Sequence, residues 1–167
     1  MNLPAMLVVM GVSGSGKTTV AALLAGHLAW ELGDADDWHP PANVRKMRSG
    51  TPLDDADRWP WLRSIAAWID ATRSTGQHGV LACSALKRAY RDVLIGDRPD
   101  VRLVYLRGEE SLIQDRQAAR HNHYMPASLV HSQFEALQEP GPDERPIIVD
   151  VQPPAHEVVR AIVDRLR

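Results

Sequence analysis

Residues 11–18 read Gly-Val-Ser-Gly-Ser-Gly-Lys-Thr and fit the pattern G-x-x-x-x-G-K-[ST] at every position. The run stands between two telling segments. Met6–Met10 is continuously apolar, the pattern of a strand buried on both faces. Thr18–Ala29 places Val20, Leu23, Leu24 and Leu28 at helical spacing. Strand, glycine-rich loop and helix in that order form a phosphate cradle. Gly11, Gly14 and Gly16 let the backbone curl so that several N–H groups face one anion. The helix beginning near Lys17 adds its positive end. Lys17 has the reach for β- and γ-phosphates, and the Thr18 hydroxyl is a ligand for Mg²⁺. Val12, Ser13, Ser15 and Thr19 complete the nucleotide-binding run. The expected ligand is a nucleoside triphosphate with Mg²⁺.

The rest of the chain repeats the strand–helix alternation. Strands are expected at Trp30–Gly33, Gly79–Cys83, Val101–Leu106 and Pro146–Val149. Helices are expected over Ala42–Ser49, from Pro60 onward with Trp61, Ile65, Trp68 and Ile69 on one face, and from a Ser84 N-cap through Tyr90 and Leu94. Three more follow at Glu109–Arg120, Ala127–Leu137 and Ala155–Leu166. This order predicts an α/β fold with a parallel sheet covered by helices on both faces. The length of 167 residues suits one domain, and no linker divides it.

Composition narrows the class. Nineteen basic against 21 acidic residues give a net charge of -2, which is no footprint for a general nucleic-acid binder. No apolar run reaches the roughly 18 residues of a membrane helix. The one cysteine, Cys83, cannot form an internal disulfide, and its place in a strand reads as core. A cytoplasmic protein is expected. The GTPase patterns D-x-x-G and N-K-x-D are absent, and the third strand ends in Cys83-Ser84 where a Walker-B aspartate would stand. A small-metabolite or nucleotide kinase is the expectation.

The acceptor side centres on Asp34-Ala35-Asp36-Asp37-Trp38-His39-Pro40, at the end of the second strand. Ligands of open α/β sheets bind at strand carboxyl ends. Phosphoryl transfer needs a carboxylate to orient the acceptor hydroxyl and take its proton. Asp34 is assigned to the Mg²⁺ shell and Asp36 to the acceptor. His39 either hydrogen-bonds a polyol or caps the turn beside Pro40. Arg58, Lys87 and Arg91 are unranked candidates for a substrate carboxylate, each with a surface salt bridge as the ordinary alternative. His121 and His123 have no third ligand at metal spacing, so zinc is not expected.

Taken with D-A-D-D-W-H-P (34–40), N-x-x-K-M-x-x-G (43–50), P-L-x-D-x-D-R-x-P-W-L (52–62), C-S-A-L-K-x-x-Y-R (83–91), R-x-x-H-Y-M-P (120–126) and S-Q-F-x-x-L-Q-E-P (132–140), the chain resembles the gluconate kinases, relatives of shikimate and adenylate kinases. The resemblance runs over nearly the whole chain. It implies a three-layer P-loop kinase fold with a five-stranded parallel sheet and a mobile lid, and often a homodimer. It implies ATP-dependent phosphorylation of D-gluconate at the 6-hydroxyl. It places an acceptor-binding helical region at about 38–75 and a lid at about 117–130. By the same analogy Arg116 flanks the adenine, Arg120 meets the phosphates, and His123 joins the substrate side. The lid departs from the commoner R-K-G-H-F-M at Asn122. Two other readings stay open: a kinase of this fold acting on shikimate or another sugar acid, and a regulatory module that binds ATP without transfer.

Overall fold

The computed structural model describes residues 3–119 and 127–166. The expected lid residues Arg120, Asn122 and His123 fall outside the described residues. Five strands form one all-parallel sheet: β1 (Met6–Met10), β2 (Glu31–Asp34), β3 (Gly79–Ala82), β4 (Val101–Arg107) and β5 (Ile147–Asp150). Their order in the sheet is β2-β3-β1-β4-β5, with Val8 opposite Leu81 on one side and Leu103 on the other. The helices are α1 (Lys17–Leu28), α2 (Pro41–Arg48), α3 (Asp55–Ser74), α4 (Arg88–Leu94), α5 (Glu110–Ala118), α6 (Ala127–Ala136) and α7 (Ala155–Arg165). None among the described residues is long and apolar enough to cross a membrane.

The apolar run of β1 works because successive side chains leave opposite faces of a strand. Leu7 and Val9 enter one core with α1 and α7, while Met6, Val8 and Met10 enter a second with α3 and α4. Both faces are sealed, which gives three layers. Crossovers from β1 pass to β2 on one side, and β4 and β5 follow on the other, so the direction of winding reverses beside β1. The cleft at the carboxyl ends of the strands opens at that reversal.

Two helix starts differ from the sequence reading. Helix α3 begins at Asp55, five residues ahead of Pro60. Asp54 accepts the Asp57 N–H at 2.8 Å and Asp57 accepts the Asp54 N–H at 3.0 Å, a capping box that nucleates the helix earlier. Pro60 then sits in the second turn, where it withholds an N–H from the Ala56 carbonyl and the helix tolerates the loss. Ser84 is not an N-cap. Its carbonyl accepts the Gly11 N–H at 3.3 Å, and Ala85 turns to φ 45°, so the helix waits until Arg88. The turn is held by Arg91, whose Nη1 donates to the carbonyls of Ala85 and Leu86.

Candidate active site

The phosphate loop joins β1 to α1. Gly16 caps the helix at φ 95° and Gly14 turns at φ 86°. At Gly14 a Cβ would stand 2.4 Å from Gln117 Nε2, so space as well as conformation requires glycine. With no side chains in the way, the loop amides line a cleft of about 270 Å³. Ser13, Gly14, Gly16, Lys17, Thr18 and Thr19 form one wall, and Asp34 and Asp36 form the facing one. Two of the sequence segments singled out above, 13–19 and 34–36, thus line one cleft, and Arg58, Lys87 and Arg91 do not line it. Val12 and Ser15 are buried behind the loop. The Ser15 hydroxyl has no partner among the described residues.

The electrostatics of this cleft are mutual. Burial pulls the Lys17 ammonium below its ordinary pKa, and the nearby Asp36 and Asp34 oppose that pull. Lys17 Nζ donates to the Val12 carbonyl at 3.0 Å. Burial, followed by the charge of Asp34, raises the Asp36 pKa; His39 and Lys17 partly counter it. Asp34 Oδ1 accepts the Asp36 N–H at 3.0 Å and so starts the 3₁₀ turn Ala35–Trp38 that carries Asp36. Cys83, fully buried at the cleft floor, has its thiol pushed up to about 12 by burial, so it is no nucleophile.

The turn is pinned from behind. Trp61 of α3 donates Nε1–H to the Ala35 carbonyl at 2.7 Å and lines the cleft. His39 stacks on Trp61 at 4.3 Å between centroids. Buried Asn43 holds His39 Nδ1 at 3.2 Å and donates to the Asp57 carbonyl at 2.9 Å. With Nδ1 as acceptor, the proton sits on His39 Nε2. Burial lowers the His39 pKa, so the ring is a neutral donor. It is thus built into α2 and α3, which the cap-the-turn alternative did not anticipate.

The three candidate cations part company. Arg58 and Lys87 meet over Tyr90, at 5.7 and 5.6 Å from its ring centre. Both approach Asp55, Arg58 at 3.9 Å and Lys87 at 3.4 Å, and the Tyr90 hydroxyl donates to the same carboxylate. Arg91 is not brought to the cleft. Its side chain is 1% exposed, and it pairs with Glu144 at 2.7 and 3.2 Å while Nη1 serves the Ala85 turn. Each of its three guanidinium nitrogens has a partner within the fold, so the substrate-carboxylate assignment gives way to a structural one.

A second cavity of about 350 Å³ lies on the other side of the phosphate loop. Arg116, Pro153, Pro154 and Val158 line it together with Gly14–Gly16. Arg116 Nη2 donates to the Val151 carbonyl at 2.6 Å, which ties α5 to the loop before α7. Two features escaped the sequence reading. Pro153-Pro154 shapes this cavity, and a Pro-Pro pair after a strand is a legible signal of a fixed loop. Gln133 of α6 reaches the first cleft and accepts the Ser13 N–H at 3.2 Å; it stands inside the S-Q-F segment but was given no role.

A winding-reversal cleft floored by a phosphate loop, with a carboxylate pair facing the loop lysine, defines a P-loop small-molecule kinase. An AAA domain family matches residues 6–140. The gluconokinase of Gluconobacter oxydans is 50% identical over 145 residues, covering 87% of this chain and 81% of that one. The thermoresistant gluconokinase of Escherichia coli is 40% identical over 161 residues, covering 96% and 92%. The crystal structure of a gluconokinase from Sinorhizobium meliloti superposes with a TM-score of 0.88 at 41% identity, over 99% of this chain and 93% of that one. Shikimate kinase from Aquifex aeolicus, at 16% identity and TM-score 0.63, shares the fold. The chain belongs to the gluconokinase family.

Proposed function

We infer that the chain transfers the γ-phosphoryl group of ATP to the 6-hydroxyl of D-gluconate, giving 6-phosphogluconate and ADP. The observation that carries the chemistry is the single cleft holding Lys17, Thr18, Asp34 and Asp36. The base lies in the second cavity against Arg116, and the phosphates run along the loop amides into the first. Asp36 accepts the hydroxyl proton as the acceptor oxygen forms its bond to phosphorus and the bond to the ADP oxygen breaks. Lys17 neutralises charge on the transferred group. The donor set is hard oxygen, the Thr18 hydroxyl and the Asp34 carboxylate, and this suits Mg²⁺, which takes one or two carboxylates beside phosphates and water. Bound there, the ion would supply charge neutralisation at the β- and γ-phosphates.

Arg58 and Lys87 are assigned the gluconate carboxylate, because they alone of the three candidates converge on one exposed carboxylate, that of Asp55. His39 Nε2–H is assigned a hydroxyl of the chain between. The test is ADP release from Mg-ATP with D-gluconate, with shikimate and with neither. Gluconate-dependent turnover with 6-phosphogluconate as product is expected. Turnover with another acid but not gluconate would overturn the substrate, and ATP binding without any acceptor-dependent product would overturn transfer itself.

A further inference from the structure

Gln133 holds a position that the transfer chemistry above does not use. The donors of a phosphate loop are its backbone N–H groups, and Ser13 is one of them. In this structure that N–H is taken by Gln133 Oε1 at 3.2 Å, from a residue 120 positions away in the chain. The side chain is half-buried and lines the first cleft beside Lys17, Thr18 and Asp36. Gln133 Nε2 has no hydrogen bond among the described residues, so the carboxamide retains two N–H donors.

The two cavities give the loop a direction. Gly14, Gly16 and Thr19 border both, whereas Ser13 and Gln133 border only the one with the acidic pair. If the base lies against Arg116, the Ser13 end of the loop meets the phosphate farthest from the base. Helix α6 is also firmly mounted. Two residues past its end, the Gln138 N–H donates to the Leu86 carbonyl at 2.8 Å, and Gln138 Oε1 accepts the Arg88 N–H at 2.8 Å. The helix therefore spans from the turn that carries Lys87 to the phosphate loop. A side chain mounted this way is held ready for its ligand.

We propose that Gln133 reads the terminal phosphoryl group of the nucleotide: Oε1 locks α6 to Ser13 while Nε2 donates to a γ-phosphoryl oxygen, so that the site distinguishes a triphosphate from a diphosphate. The inference rests on the kinase reading for the direction of the nucleotide, and its test needs no turnover. Dissociation constants for Mg-AMPPNP and Mg-ADP are measured without acceptor for the wild-type chain, Gln133→Glu and Gln133→Ala. Glutamate keeps the acceptor for Ser13 and replaces the donor with a negative charge. A hydrogen bond to a charged group predicts a roughly 10–100-fold loss of AMPPNP affinity in Gln133→Glu and a loss in the same direction in Gln133→Ala. ADP affinity should stay within about twofold, which also shows that the loop is folded. Equal weakening of both nucleotides would make Gln133 a mere brace of the loop and overturn the proposal, as would unchanged affinity for both. Gluconate-dependent turnover of the wild-type chain, assayed separately, reports on the kinase reading, so failure of one is not mistaken for failure of the other.

Discussion

Asp36 concentrates the chemistry in one side chain. Its backbone N–H donates to Asp34 Oδ1, Trp61 backs its turn, and the side chain faces Lys17 across the cleft. Asparagine in its place keeps the shape and the backbone turn but cannot take a proton. Asp36→Asn should lower kcat by roughly 10²–10⁴-fold, the usual worth of a general base, with ADP affinity unchanged. Steady-state kinetics beside ADP titration checks this, and a kcat drop under tenfold would remove the base assignment. Such residues were legible because their types are tied to local strings: a glycine-rich loop, and aspartates at a strand end. His39, Arg91 and Gln133 were not, since their roles depend on partners far along the chain. Nothing near Arg91 in sequence announces Glu144, and nothing near Gln133 announces Ser13.

At the scale of elements, the strands were legible to within a residue or two, the central β1 and β3 because burial on both faces demands unbroken apolar runs. The helix starts were less so. Pro60 reads locally as a first-turn residue, yet the reciprocal Asp54–Asp57 cap, reinforced by Lys46 at 2.7 Å from Asp57, starts α3 earlier. The other end of α3 is tied by charge. Asp70 accepts Arg98 Nε and Nη2 at 2.7 and 2.8 Å, and Arg73 bridges Asp70 to Asp100. Hydrogen bonding from Arg98 is the main reason that the Asp70 pKa falls from 3.8 to about 2. A carboxylate depressed in the folded state contributes stability that is fully present above its unfolded pKa and fades as pH falls through its folded one. The window therefore runs from about pH 4 down to about pH 2. Half-exposure of the side chain keeps the contribution modest. Asp70→Asn should be slightly less stable than the parent at pH 7, and the gap should close on acidification through that window. Urea unfolding at several pH values measures it; a gap independent of pH would show that the Arg98 pair carries no linkage.

For the whole molecule, the three layers were readable from alternation alone, but what closes them was not. The approach to edge strand β5 is fastened to α4 by two ion pairs in neighbouring turns. Arg88 pairs with Asp143 in the open, with side chains 48% and 62% exposed, while Arg91 pairs with Glu144 at 1% and 10%. The same elements are joined, so burial is the first difference between the two. An exposed pair contributes about 0–1 kcal/mol. Removing one partner of a buried pair leaves the other charge stranded and costs about 3–5 kcal/mol. Here the loss is compounded, because the Ala85 and Leu86 carbonyls also lose their donor. Arg91→Ala should lower the melting temperature by on the order of 10 °C, given about 2–4 °C per kcal/mol at this size. Arg88→Ala should move it by no more than a few degrees. Calorimetry on the two variants decides the matter. Because Arg91 lines neither cavity beside the phosphate loop, its variant should still bind ADP with parental affinity when cold. A stable Arg91→Ala that loses activity would instead return this residue to the substrate site, against the closed fork that the structure gives it.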